Sequence, residues 1–162
     1  MALVDYFLKI DGIPGESQDS KHKDEIQVLS FSFGESQAGT MAFGGGGGAG
    51  KVQMQDFHFM MNVNKASPKL FITCANGEHI KNAILTARKA GKDQKDYLKV
   101  TFTDLLVSSF QTNGDAQANS LPVDSVSLNF AAIEWEYSQQ KADGQLEAAQ
   151  KVKYNLKEMI SR

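Results

Sequence analysis

At 162 residues the chain has room for one domain, or two very small ones, and 41% apolar residues support a buried core and argue against disorder. Seventeen basic against nineteen acidic residues leave a formal charge of -2, so no attraction to nucleic acid or anionic lipid is built in. A single cysteine excludes an internal disulfide scaffold.

At the amino terminus Asp5 and Lys9 break any signal-peptide core, and no apolar run reaches the roughly 18 residues of a membrane helix. The expectation is synthesis in the cytosol, no membrane insertion and, if the chain leaves the cell, export by something other than the general secretory route. Tyr6, Leu8 and Ile10 then alternate with Phe7, Lys9 and Asp11 as in a half-buried strand. Turn chemistry at residues 11–15 ends it, and a polar loop runs through Lys23. Ile26, Leu29, Phe31 and Phe33 lie close to strand spacing, with Ser30 and Ser32 on the other face. Residues 36–50 dissolve into small side chains around Gly44, Gly45, Gly46, Gly47 and Gly48, which predicts a mobile loop.

Beyond the loop Val52 and Met54 share one face, whereas Phe57, Phe59 and Met61 fall on the opposite phase, which predicts a β-bulge near Gln55 and Asp56. Ser67 suits a helix N-cap and Pro68 the first helical position. Leu70, Phe71 and Cys74 form an apolar stripe, and Asn76-Gly77 a left-handed stop. Strands are expected over residues 84–89 and 97–110, then a polar loop over residues 111–121. Val126, Leu128 and Phe130 give way to Ile133, Trp135 and Tyr137, a second phase change that predicts a bulge near Ala131 and Ala132. Two long strands that each switch faces are what a closed or strongly curved barrel requires. The carboxyl-terminal segment reads equally as a helix face (Leu146, Ala149, Val152, Leu156, Met159) or as a strand through Val152, Tyr154 and Leu156.

Residues 45–51 fit G-x-x-x-x-G-K, but Val52 stands where a phosphate-binding loop needs Ser or Thr, and a strand follows where it needs a helix. Glu134 and Glu136 share a strand face at a spacing of about 7 Å, yet a solvated face explains them without a cleft. His22, His58 and His79 lack metal-ligand spacing, and Cys74 reads as a small buried hydrophobe. The segment Gly34-Glu35-Ser36-Gln37-Ala38-Gly39 misses a nucleophile elbow by one residue. No catalytic group, cofactor or metal is expected. Strand edges and small-residue loops point instead to work by contact with copies of the same chain; if each copy meets the next head to tail, such a contact can close into a ring.

Several segments, taken in order, carry a family likeness: Gly15-Glu16-Ser17, residues 25–34 with Phe31-Ser32-Phe33, residues 44–51 leading into Val52 and Asp56, and Ser67-Pro68. Further along come Arg88-Lys89-Ala90-Gly91, Val107-Ser108-Ser109, Asn129-Phe130-Ala131 and Gln140-Lys141-Ala142-Asp143-Gly144. Through them the chain resembles the haemolysin-coregulated protein (Hcp) family, tube subunits of bacterial type VI secretion systems. The resemblance implies one tube domain over residues 1–162, a mainly β fold. Its form is a curved β-barrel of two packed sheets with one short flanking helix, similar to phage tail tube proteins. It also implies hexameric rings stacked into a hollow tube, a spike protein at the tip, a surrounding contractile sheath, and effector proteins as cargo. Secretion would follow from the cytoplasm through that system, and residues 152–156 would form a strand. An inner wall should be polar and uncommitted, so Ser30, Ser32, Gln53 and Gln55 are expected to face the lumen, and Gly44 to Gly48 to bridge stacked rings. A monomeric ligand-binding barrel and a nucleotide-binding protein are the two rival readings.

Overall fold

The computed structural model describes residues 4–39, 52–91 and 94–161. In chain order its elements are β1 (Val4–Ile10), β2 (Ile26–Val28), β3 (Ser30–Ser32), β4 (Glu35–Ser36), β5 (Gln53–Met54) and β6 (Phe57–Asn62). These are followed by α1 (Ala66–Asn76), β7 (Ile80–Lys89), β8 (Asp96–Asn113), β9 (Val123–Tyr137), β10 (Gln150–Asn155) and β11 (Ile160–Ser161). Apart from the small β4–β5 ribbon, the strands form one antiparallel sheet. The glycines at residues 44–48, and Lys51, lie outside the described residues.

The sheet curls until it all but closes. One edge of β9 carries β8 along its length, while the other is shared between β6, opposite residues 123–128, and β10, opposite residues 132–137. At the far end β1 pairs with β2, and one residue later β3 pairs with β6. Leu29, between them, donates its N–H to the Met60 carbonyl at 2.8 Å and so passes the chain from one partner to the other. This corner corrects the expected strand phase: Val28 is buried and Leu29 is 53% exposed.

Inside the curl, Phe57, Phe59, Phe102, Leu8, Ile26, Met61, Leu85 and Leu128 are fully buried. A barrel filled by side chains in this way is a packed core, which counts against the ligand-binding reading. Phe7 is buried too, on the opposite side of β1 from Leu8 and against the expected alternation. The residue 15–25 loop folds over it, stacking the His22 ring at 4.4 Å, and the Arg88 guanidinium lies 4.9 Å from its centroid. That loop is tied by Gly15 N–H to the Asp24 carbonyl (2.7 Å) and Ser17 N–H to the Glu25 carbonyl (3.0 Å). A Cβ on Gly15 would stand 2.5 Å from the Glu25 carbonyl oxygen, so only glycine allows the approach. Gly15→Ala is therefore expected to lower unfolding stability by about 2 kcal/mol, read as a shift in the urea midpoint.

Both phase changes read from the sequence are present, in different forms. Two residues lie between Ser32 and Glu35, while three lie between their partners Met54 and His58, so one extra residue is absorbed at Gln55–Asp56 as a bulge. At Ala131–Ala132 the register does not slip: Thr103 opposes Ala132 and Leu105 opposes Phe130. Instead β8 and β9 bend together around Asp104, whose φ is 53°, so that Phe102 and Leu105 both reach the core, as do Phe130 and Ile133. The β8–β9 register shifts further on, between Val107 and Ser109, leaving Ser108 as the extra residue.

The helix begins slightly earlier than expected. Lys65 takes the cap position without a side-chain cap, and Asn64 Oδ1 accepts the Ala66 N–H at 2.8 Å. Ser67 lies inside the first turn, where its hydroxyl donates to Asp124 Oδ2 at 2.5 Å and accepts the Asn64 N–H at 3.0 Å. Asp124 is fully buried on β9 and also accepts from Thr112 Oγ1 at 2.7 Å, so the helix is anchored on a satisfied carboxylate. Ala66, Leu70 and Thr73 make the buried stripe. Cys74 is only partly covered, and Phe71 is 59% exposed, its ring edge-on to Phe110. Gly77 (φ 64°) ends the helix as expected, its N–H on the Cys74 carbonyl.

Two boundaries move. β7 starts at Ile80, and β8 continues to Asn113 because residues 111–113 still pair with β9, so the polar loop is shorter than expected. The carboxyl-terminal segment is a strand, β10, paired with β9. No helix among the described residues is long and apolar enough to cross a membrane.

Candidate functional site

Opposite the barrel core the register assembles a polar face. Ser32 on β3 opposes His58 on β6, which opposes Ser127 on β9, which opposes Ser109 on β8. The next row is Ser30, Met60, Ser125 and Gln111. Each follows from strand alternation: Phe57, Phe59, Val126 and Leu128 turn inward, so their neighbours turn out. Across the rows, His58 Nδ1 lies 3.0 Å from Ser127 Oγ, and Asp56 accepts from Ser108 Oγ at 2.6 Å and Asn129 Nδ2 at 2.8 Å. The bulge residue Ser108 is thereby turned to a carboxylate.

Ser30, Ser32, Gln53 and Gln55 are all exposed. They lie on one face of the hairpin that β3–β4 makes with β5–β6, with Gln53 opposite Ser36 and the Gln55 N–H on the Gly34 carbonyl at 2.8 Å. The other face of the same hairpin carries Phe33 and Met54, which pack partly against the core.

Beside it runs an apolar groove of about 370 Å³, lined by Phe33, Met54, Ile133, Trp135, Val152 and Tyr154. Trp135 is 40% and Val152 64% exposed, although the sequence pattern places Trp135 on the inward phase. The outer side of the same strands is charged. Glu134 meets Lys151 at 2.7 Å and Lys153 at 3.1 Å. Burial alone would raise the Glu134 carboxyl, but hydrogen bonds and charge from the two lysines outweigh it and hold it below its ordinary value. A carboxylate held ionised in this way suits a surface ion pair and not a general acid.

The histidines separate. His22 is buried, with Nδ1 2.9 Å from Glu25 and Nε2 3.1 Å from Asp96, and His79 lies on the surface 3.3 Å from Asp104. Among the described residues no group of three His, Cys, Asp or Glu side chains is placed to hold a metal. Ser36 of the near-elbow sits in β4 opposite Gln53. Sequence reasoning missed the ionic cluster under the residue 15–25 loop. Arg88, 3% exposed, binds Asp19 at 2.7 Å and approaches Asp5 at 3.6 Å. The Arg88 hydrogen bond holds the Asp19 carboxyl far below the usual carboxylate range, and Asp19 in turn raises the guanidinium. Its only signal was an arginine directly after the mostly apolar run Ala83, Ile84, Leu85, Thr86 and Ala87.

The family model described as "Type VI secretion system effector, Hcp" matches residues 7–137. Protein hcp1 of Pseudomonas aeruginosa is 43% identical over 142 residues, 87% of each chain. The crystal structure of Hcp1 from Salmonella typhimurium is similar with a TM-score of 0.83 at 38% identity, covering 99% of this chain and 100% of that one. A structure of a type six secretion system protein reaches a TM-score of 0.93 at 26% identity, covering 98% and 99%. The matched segment runs from β1 to the end of β9 and so includes every strand of the polar face: the chain belongs to the Hcp family of type VI secretion proteins.

Proposed function

We propose that this chain acts as a single tube domain, six copies of which join side by side into a ring. The rings stack into a hollow tube that is driven out of the cytoplasm by a contractile sheath behind a spike protein. Effector proteins are carried non-covalently in the bore, and the chain's role is structural, without a catalytic step or cofactor. The observation that carries this reading is the polar face of β3, β6, β9 and β8 set back to back with a packed aromatic core. Hydroxyl and amide groups form a wall that water wets, against which a folded passenger is held only weakly and keeps its structure. The apolar groove along β10, with Trp135 and Val152 half-uncovered, supports a lateral contact that buries it. Ring-to-ring bridging by Gly44 to Gly48 belongs to the same proposal.

Ser30, Ser32, Gln53 and Gln55 are assigned to the lumen wall. Ser32→Gln adds bulk at an exposed site without touching the core. It is expected to leave annular particles unchanged in electron micrographs and to reduce effector co-purification severalfold. Rings lost, or cargo retained in full, would remove Ser32 from the wall.

A further inference from the structure

His58 stands at the centre of the polar face, half-buried between Ser32 and Ser127. On the elements around it, β3 contributes Ser30 and Ser32, β9 Ser125 and Ser127, and β8 Ser109, all uncharged. Its own chain adds Asp56, whose carboxylate oxygens are taken up by Ser108 and Asn129. Among the described residues of these rows and the bulge beside them, Asp56 and His58 are the titratable side chains. The partner of His58 Nδ1 is the Ser127 hydroxyl, which can donate to a neutral ring or accept from a protonated one. Gaining a proton therefore breaks no bond. His22 and His79 differ in their partners, Glu25 and Asp96 for the one and Asp104 for the other.

We propose that His58 gives this face a pH-dependent affinity for acidic peptide segments, strong when the imidazole is protonated and weak when it is neutral. The inference rests on the reading of the face as the cargo wall of a ring. Six imidazoles around one bore would then change the field acting on a passenger together, where a single surface histidine would be screened.

The test uses the full chain and a fluorescent peptide of about ten aspartates at low salt, with binding read by anisotropy at about pH 5.5 and about pH 7.5. The aspartates stay ionised at both, so only the protein changes charge. Electron micrographs of the same samples record whether rings are present. The wild type is expected to bind about tenfold more tightly at the lower pH, His58→Gln to lose that increment, and His58→Lys to bind tightly at both. A pH increment that survives His58→Gln, or its absence from wild-type rings, overturns the inference and leaves the ring reading standing. Should His58→Gln fail to assemble, His58→Lys decides alone: pH-independent binding upholds the inference and a persistent increment overturns it. Wild-type samples without rings at either pH overturn the assembly reading, and the inference with it.

Discussion

Phe102→Ala is expected to lower unfolding stability by about 4 kcal/mol. Phe102 is fully buried on β8, just before the bend at Asp104. Its ring centroid lies 4.6 Å from that of Phe57 on β6, 4.8 Å from Phe130 on β9 and 5.8 Å from Phe33, which follows β3. Removing it strips contacts from three strands at once, and the closed curl gives them little room to collapse into the space. Phe71→Ala is the contrasting case. Its ring is 59% exposed on the helix, so the same truncation should cost less than about 1 kcal/mol. Paired urea titrations with equal slopes would check both; similar losses for the two would mean that Phe102 is not a keystone of the core.

Arg88→Ala is expected to cost about 3 kcal/mol at neutral pH, for an electrostatic reason. The side chain is 3% exposed, and truncation leaves Asp19, itself largely covered, without its cation while opening space over Phe7. The acid dependence follows from the direction of the Asp19 shift. Its folded carboxyl is held well below the ordinary value, chiefly by the Arg88 hydrogen bond, so the stabilisation is complete above about pH 4 and declines as the pH falls below it. The deficit of Arg88→Ala relative to wild type should therefore shrink in acid, with guanidinium itself charged throughout. A deficit that stays constant down to about pH 2 would place the loss in packing over Phe7 and not in the ion pair.

The parts of this fold that could be read from the sequence are those decided by near neighbours. Alternation identified the strands through Ile10, Phe59, Phe102 and Leu128. Asn76-Gly77 identified the helix end, and the phase change at Gln55–Asp56 identified the bulge. The misreadings share one cause, which is that a distant segment decides burial. Phe7 is covered by a loop carrying His22, a residue fifteen positions later, so its burial breaks alternation without any local sign. Leu29 yields to Val28 because the chain changes partners there, and a partner change leaves no mark on spacing. Ser67 reads as a cap from its neighbours alone; the buried Asp124 across the sheet draws it into the first turn. At the polar face, Ser30 and Ser32 were legible because they alternate with Phe31 and Phe33. His58, Ser109, Ser125 and Ser127 were not, since only strand register places them beside those serines. Trp135 shows the opposite limit: its phase points inward, yet the groove it lines is left open in the single chain.

The most direct test of the proposed role is the mass of the purified protein in solution, measured by light scattering across a wide concentration range with electron micrographs of the same samples. An annular particle with six times the mass of one chain is expected. A particle of single-chain mass at every concentration, with no annular images, would contradict it.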